Sequence, residues 1–257
     1  MLALKIIIGS TRDGRAADLV APWVIERAER HGSFEVDVLD LRDWPLPMFA
    51  ETIHTIGNIA DPTYSDPIVR NWNQRIQQGE AFLFVTPEYN HSVPGVLKNA
   101  IDNVFVGLAF RNKPAAFVGY SGGVAGGVRA IEHLAQIVVE AEMVPLRNTV
   151  LVSRVQTYFH ENAPRDPLSD ASLGIVLDDL SWWGNALKQA RAVGELPPGS
   201  ARLRAAMAAQ ATQRGTDDEP CSTGFRTCCR SRHPWSRPSP PSAPARSGTS
   251  STGWCGR

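Results

Sequence analysis

The residues whose order carries the most chemistry are Thr86-Pro-Glu-Tyr-Asn-His-Ser-Val-Pro-Gly-Val-Leu-Lys-Asn-Ala-Ile-Asp102. The apolar run Ala81 to Val85 empties there into polar, proline-bounded turn residues, and apolar side chains then recur at helical spacing at Val96, Leu97, Ala100, Ile101 and Val104. This predicts a strand buried on both faces, a loop and a helix, and in open α/β sheets ligands sit at such a loop, at the carboxyl end of a strand. A second loop of the same kind opens the chain. Lys5 to Gly9 is an apolar strand that leads into Ser10-Thr11-Arg12-Asp13-Gly14-Arg15 and then helical positions Ala17, Val20, Ala21, Val24, Ile25 and Ala28. Unpaired N–H groups and the positive end of a helix attract an anion there, and Arg12 can add a bidentate contact. Ordinary N-capping by the hydroxyl residues is the competing reading. No Gly-Lys-Ser/Thr follows and the Gly-x-Gly-x-x-Gly spacing is missing, so the loop is neither a Walker loop nor a dinucleotide fingerprint.

Further elements must position these loops. Phe34 to Leu39 alternates and reads as a second strand, followed by a long irregular connection, Arg42 to Pro67, that covers one edge of the site or meets a partner subunit. Its apolar residues Trp44, Leu46, Met48 and Phe49 fit a partner surface or packing on their own subunit. Ile68 to Gln78 is helical, Ala81 to Thr86 is the third strand, and a helix spans Pro94 to Val106. Pro114 to Tyr120 is a fourth strand that ends in a third, glycine-rich loop, Ser121 to Gly127. A helix to Met143, a fifth strand Leu146 to Val152, and an amphipathic closing helix through Leu173, Val176, Leu177, Leu180, Trp183 and Leu187 complete the series. Strands alternating with helices imply a doubly wound five-stranded parallel sheet, and order 2-1-3-4-5 sets the first and third strands side by side at the switch point, so that the Ser10 loop and the Pro87 loop converge on one crevice.

The 257 residues are 43% hydrophobic, enough for a sizeable core, yet they divide into two unlike parts. All four cysteines (Cys221, Cys228, Cys229, Cys255) follow Gly215, in a stretch with six arginines against three acids, while the remainder has 20 basic against 23 acidic residues. Domain boundaries at 1–195, 196–214 and 215–257 follow: a sheet domain, a partial helix near Leu203 to Gln213, and a tail too poor in aliphatic residues to offset chain entropy. That mixture of Arg, Pro, Ser, Cys and Trp is also what out-of-frame reading of GC-rich DNA yields, so the tail is expected to differ from the native chain. The cysteine spacing matches no zinc site, and no metal is expected. Met1 to Gly9 is too short for a signal segment and no run approaches a membrane span, so a cytoplasmic location is the default expectation.

Gly9 to Arg15, Thr86 to Asp102 and Lys113-Pro to Ala130 together resemble the NADPH-dependent FMN reductase family, with its flavodoxin-like fold, over roughly residues 3 to 190. The resemblance implies noncovalent FMN, with NADPH or NADH as co-substrate. Its phosphate would lie on Ser10 and Arg12, followed by Thr11 and Arg15, with Arg15 as a solvated first-turn residue in the alternative. Pro87, Glu88, Tyr89 and Asn90 would wrap the flavin ring, with backbone N–H groups toward its pyrimidine edge, and Ser121, Gly122 and Gly123 would approach it closely because glycine has no Cβ. Asn99 and Asp102 would brace loops or a dimer contact, Arg129 would form a surface salt bridge or meet a 2′-phosphate, and His91 is given no role. No protein side chain is assigned as catalytic, since the flavin carries the chemistry. Hydride would pass from NAD(P)H to flavin N5, and electrons then to a small acceptor (free flavin, quinone, azo compound or metal oxyanion) in ping-pong fashion. A homodimer or homotetramer is implied, with no nucleic acid or membrane partner. Two other readings stand beside it: a flavodoxin-type electron carrier, disfavoured by a core of only modest negative charge, and a non-redox module for a phosphorylated ligand.

Overall fold

The computed structural model describes residues 1–59, 61–161 and 163–217, and the tail expected to be unfolded lies outside these from residue 218 onward. Five parallel strands, β1 (Leu2–Ile8), β2 (Phe34–Asp40), β3 (Ala81–Pro87), β4 (Pro114–Tyr120) and β5 (Val144–Val152), form one sheet in the expected order β2-β1-β3-β4-β5. Every residue of β3 and β4 is buried. Such strands read as continuous apolar runs because helices cover both faces, whereas edge strand β2 keeps exposed positions.

The helices are α1 (Ala17–Arg30), α2 (Pro67–Gln77), α3 (Gly95–Phe105), α4 (Val128–Glu140) and α5 (Pro167–Val193). Val20, Trp23 and Val24 of α1 share one core layer with Leu173, Val176, Leu177 and Leu180 of α5. Trp72 and Ile76 of α2, Leu97 and Ile101 of α3, and Leu134 and Val138 of α4 fill the other layer. A second compact unit begins at Pro197, and its described part is a helix, α6 (Gly199–Asp217), which carries the exposed Leu203 and Met207. None of the described helices is long and apolar enough to cross a membrane.

Helix starts fall into two kinds. α2 and α5 each begin Asp-Pro: Asp66 accepts the Ile68 N–H and Asp166 the Leu168 N–H, with proline at the first helical position where no N–H is needed. α1, α3 and α4, which follow the loops singled out above, have N-caps Ala16, Pro94 and Gly127 with no side-chain cap bond. Backbone carbonyls take part of that role: the Asp18 N–H donates to Arg15 O, the Leu97 N–H to Pro94 O and the Val128 N–H to Ala125 O.

The connection after β2 has more structure than its prolines suggest. It holds a 3₁₀ turn (Leu41–Asp43), a two-residue hairpin (Gly57–Asn58 with Asp61–Pro62) and a small core of Ile56, Tyr64 and Val69. Two buried asparagines of α3 pin it. Asn99 accepts the Phe49 N–H at 2.9 Å and donates to Pro47 O at 2.8 Å, and Asn103 donates to the same carbonyl at 3.0 Å. Its apolar residues divide: Trp44 packs edge-on against Trp72 and Leu46 joins the core, while Met48 is 80% exposed and Phe49 38%.

Candidate active site

The parallel register sets the site. Ile8 pairs with Val85, Pro87 with Tyr120, and Tyr120 with Val152, so the loops that follow all emerge at one edge of the sheet. They enclose a crevice of about 200 Å³, walled by Arg12, Arg15 and Ala16 on one side and Pro87, Glu88 and Tyr89 on the other. Tyr120, Ser121 and Gly122 form its third wall, and Val155 with Gln156 its fourth.

In the first loop Ser10 is fully buried, and its Oγ lies 2.7 Å from Tyr89 Oη. Arg12 is exposed, with its guanidinium 5.3 Å from the centre of the Tyr89 ring. Arg15 is not a solvated residue. It is 8% exposed, its fork meets both Asp40 carboxylate oxygens, and it also donates to Asp18 Oδ1 and Ser10 O. The Asp40 hydrogen bonds raise the Arg15 pKa against the cost of burial, so its charge is permanent, and most of its N–H donors are spent on protein groups. Thr11 turns away from the crevice into a neighbouring cavity beside Leu41, Trp44 and Leu46. Among the described residues the backbone N–H groups of Arg12 to Ala16 meet no protein acceptor, which leaves the uncapped end of α1 facing the crevice.

The second loop is a two-residue hairpin turn. Tyr89 and Ser92 exchange backbone hydrogen bonds at 2.9 and 3.0 Å, and the residues between them, Asn90 and His91, have φ of 50° and 66°. A turn with both central residues left-handed tolerates asparagine and histidine and rejects β-branched side chains. Asn90→Val is expected to cost about 1–2 kcal/mol, read as a lower denaturant midpoint. An unchanged midpoint for the valine variant would contradict this turn. The Glu88 and Tyr89 N–H groups are committed to Tyr120 O and Ser92 O, so they are not free for a flavin edge as expected, while Asn90, exposed, keeps its own N–H without a protein acceptor among the described residues.

Glu88 serves another element as well. Its Oε2 accepts the Arg129 N–H at 3.2 Å in the first turn of α4, and Oε1 pairs with the Arg129 guanidinium, so a carboxylate 41 residues away supplies the cap that Gly127 lacks. Arg129 also reaches His91 Nε2 at 2.8 Å, and Ser92 Oγ lies 2.9 Å from His133 Nδ1. His91 is therefore a strap between the second loop and α4, and Arg129 a salt-bridge residue. In the third loop Ser121 Oγ accepts the Gly126 N–H at 2.9 Å, and Gly123 O accepts the Arg154 N–H at 2.9 Å, which leaves Gly122 and Gly123 exposed. Asp40, Tyr120, Val155 and Gln156 belong to the site and were not foreseen. Strand order could have signalled Asp40, the last residue of the strand beside β1; the fifth strand's end points to Val155 and Gln156 in the same way.

Residues 3–157 match the NADPH-dependent FMN reductase family. The chain belongs to that family. The matched segment contains all four loops of the crevice and ends short of α5, where the motifs suggested a resemblance to about residue 190. A NAD(P)H-dependent FMN reductase of Schizosaccharomyces pombe is 36% identical over 134 residues, 51% of this chain and 64% of that protein, so the chain spans under two thirds of that relative's length. A quinone reductase of Pseudomonas putida is 33% identical over 144 residues, 55% of this chain and 72% of that protein. In fold this chain resembles the flavoenzyme NAD(P)H:(acceptor) oxidoreductase of Paracoccus denitrificans, with a TM-score of 0.60 at 24% identity over 72% of this chain and 98% of that one.

Proposed function

We propose that this chain is an NAD(P)H-dependent oxidoreductase that holds FMN in the crevice and reduces a small acceptor. The single observation that carries this reading is the convergence of an uncapped helix N-terminus and two ring-sized loop walls in one crevice of a chain from this family. The residues fit the group. The N–H groups of Arg12 to Ala16 and the dipole of α1 suit a phosphate, with Arg12 as the exposed cation of the loop. A Cβ at Gly14 or Gly123 would meet nothing within 4 Å, so the loops leave open space beside the backbone. Arg15 contributes by shaping Ser10 to Ala16 through Asp40, while Thr11 lines the neighbouring cavity.

When bound, FMN supplies hydride acceptance at N5 from NAD(P)H and electron delivery to a second substrate, in alternate half-reactions at one open site. The protein's part is positioning: Pro87 to Asn90 and Ser121 to Gly123 orient the ring, Tyr89 ties the ring wall to the phosphate loop through Ser10, and no side chain is required to move a proton during hydride transfer. The acceptor is a small molecule of the free flavin, quinone, azo or metal-oxyanion class; the relative named quinone reductase supports the second of these. The exposed Met48 and Phe49, held out by Asn99 and Asn103, support a homodimer or homotetramer.

Anaerobic titration of the FMN-loaded full chain with NADPH, and separately with NADH, tests the reading. Bleaching of the flavin band, and its return on adding a quinone, is expected. A flavin that binds but stays oxidised would assign the chain to the electron carriers, and a protein that retains no flavin would leave only the phosphoryl-binding alternative.

A further inference from the structure

The arginines around the crevice divide by what they touch. Arg15 is held by Asp40, Arg42 donates to Arg12 O at 2.9 Å and lies 3.7 Å from Asp18, and Arg129 is shared between Glu88 and His91. Arg129 is thus spent as a reader of a 2′-phosphate, and Arg12 stands over Tyr89 in the phosphate loop. Arg154 and Arg165 differ. Both are exposed, and neither meets a carboxylate among the described residues. The Arg154 guanidinium has no acceptor there at all, and Arg165 uses Nε alone, donating to Thr157 O at 3.0 Å.

Backbone contacts fix Arg154 at the rim. It lies just past the end of β5 and directly precedes Val155 and Gln156, which wall the crevice. Three hydrogen bonds stitch this segment to the glycine-rich third loop: Ser153 Oγ to Val124 O at 2.8 Å, the Arg154 N–H to Gly123 O at 2.9 Å and the Val155 N–H to Ser121 O at 3.1 Å. The φ of Arg154 is 48°, a left-handed conformation that costs most L-residues about 1–2 kcal/mol. Thr157 links the two arginines, since its N–H donates to Arg154 O at 2.9 Å and its carbonyl accepts Arg165 Nε. The neighbouring Asp166 carboxylate is occupied as the cap of α5, accepting the Leu168 N–H at 3.0 Å. An arginine held in a strained position that glycine or asparagine would occupy more easily, with its charge unpaired, is the mark of a side chain kept for a ligand.

We propose that Arg154, with Arg165 beside it across Thr157, reads the 2′-phosphate of NADPH and so sets a preference for NADPH over NADH. The inference rests on the reductase reading above and names the co-substrate that the site prefers. The nicotinamide must reach the ring walls, so the adenosine half leaves the crevice over a rim, and the rim shared by Gly123 and Arg154 carries unpaired cations apart from the phosphate loop. NADPH and NADH differ in one group, a phosphate monoester dianion against a neutral hydroxyl. Guanidinium forks bind the first in bidentate fashion and gain little from the second. Arg165 lies beyond residue 157, where the family match ends.

The test uses the FMN-loaded full chain and its variants Arg154→Gln, Arg154→Lys and Arg165→Gln. Anaerobic stopped-flow bleaching of the flavin against NADPH and NADH concentration gives an apparent affinity for each, and calorimetry with 2′,5′-ADP and 5′-AMP measures binding without turnover. Wild type is expected to favour NADPH and 2′,5′-ADP. Arg154→Gln should lower both preference ratios about ten-fold, Arg165→Gln should lower them less, and Arg154→Lys should retain part of the preference. The melting temperature of Arg154→Gln should match wild type, because its side chain gives up no protein contact. A wild type without preference for the phosphorylated nucleotides overturns the inference. So does an Arg154→Gln variant whose ratios are unchanged, or one that weakens both nucleotides in parallel and melts well below wild type, which gives Arg154 a structural role. Flavin that neither nucleotide bleaches in the wild type overturns the reductase reading itself, and this inference with it.

Discussion

Gly127→Ala is expected to destabilise the protein by more than about 3 kcal/mol and to abolish flavin retention. Gly127 is the N-cap of α4 with φ of 87°, a conformation that costs an L-residue about 1–2 kcal/mol. The larger penalty is steric. A Cβ there would stand 2.5 Å from Tyr120 N and 2.9 Å from both Gly119 C and Cα, which are backbone atoms of a buried central strand and cannot swing aside. Gly119 shows the reciprocal constraint, since its own Cβ would meet Gly127 O at 3.1 Å. Two chain segments thus touch backbone to backbone where the third loop turns into α4. Any shift displaces Ser121 to Gly126 and the Arg129 N–H that Glu88 accepts. Gly14→Ala is the matched control: its φ is 62°, yet nothing lies within 4 Å of the added carbon, so only the conformational cost of about 1 kcal/mol applies. Thermal melts should separate the two variants by roughly 4–8 °C. Equal melting temperatures would show that the backbone contact at Gly127 is not the constraint.

Breaking the Arg15–Asp40 pair is expected to have an effect of similar size, by a different mechanism. The Arg15 side chain is 5% exposed and that of Asp40 19%, so Asp40→Asn leaves a buried guanidinium short of its counter-charge, at a cost of about 3 kcal/mol. Replacing both residues with apolar ones removes the stranded charge as well. The double variant Arg15→Met with Asp40→Leu should therefore cost clearly less than the sum of the singles, a coupling measurable by denaturant titration of all four proteins. Additive losses would argue against a coupled pair. The pH dependence has a definite sign. Burial alone would raise the Asp40 carboxyl, but the Arg15 fork, the Arg42 N–H and both positive charges more than reverse this and hold it below the ordinary carboxylate range. A depressed carboxyl contributes stability that is present above its unfolded value, about 3.9, and is lost as pH falls through the folded value. The gap in melting temperature between wild type and Asp40→Asn should therefore be constant above about pH 5 and narrow progressively below about pH 4.

The same pair shows where reading the sequence stopped. Ser10 to Arg15 is legible as an anion loop because hydroxyls, a glycine and arginines stand between an apolar strand and a helical repeat. Which arginine stays free is not legible. Arg15 finds Asp40 because β2 lies against β1, 25 residues on, and Arg12 stays exposed for want of such a neighbour. Thr11 leaves the crevice because the loop after β2 builds a cavity on its other side. Glu88 looks like a ring contact in its own loop and becomes a helix cap because α4 starts beside it with no side chain of its own to do so.

The sequence by itself determined the five strands, their order and the edge at which the loops emerge. Apolar runs, helical repeats and the two Asp-Pro starts are local signals, and the handedness of parallel crossovers leaves few ways to assemble them. Tertiary structure alone decided the partners: Ser10 with Tyr89, Arg15 with Asp40, and Glu88 and His91 with Arg129. Backbone conformation is set by residues a few positions apart. A side chain's hydrogen bonds are set by whatever the packed sheet brings within about 3 Å of it, and no local period encodes that.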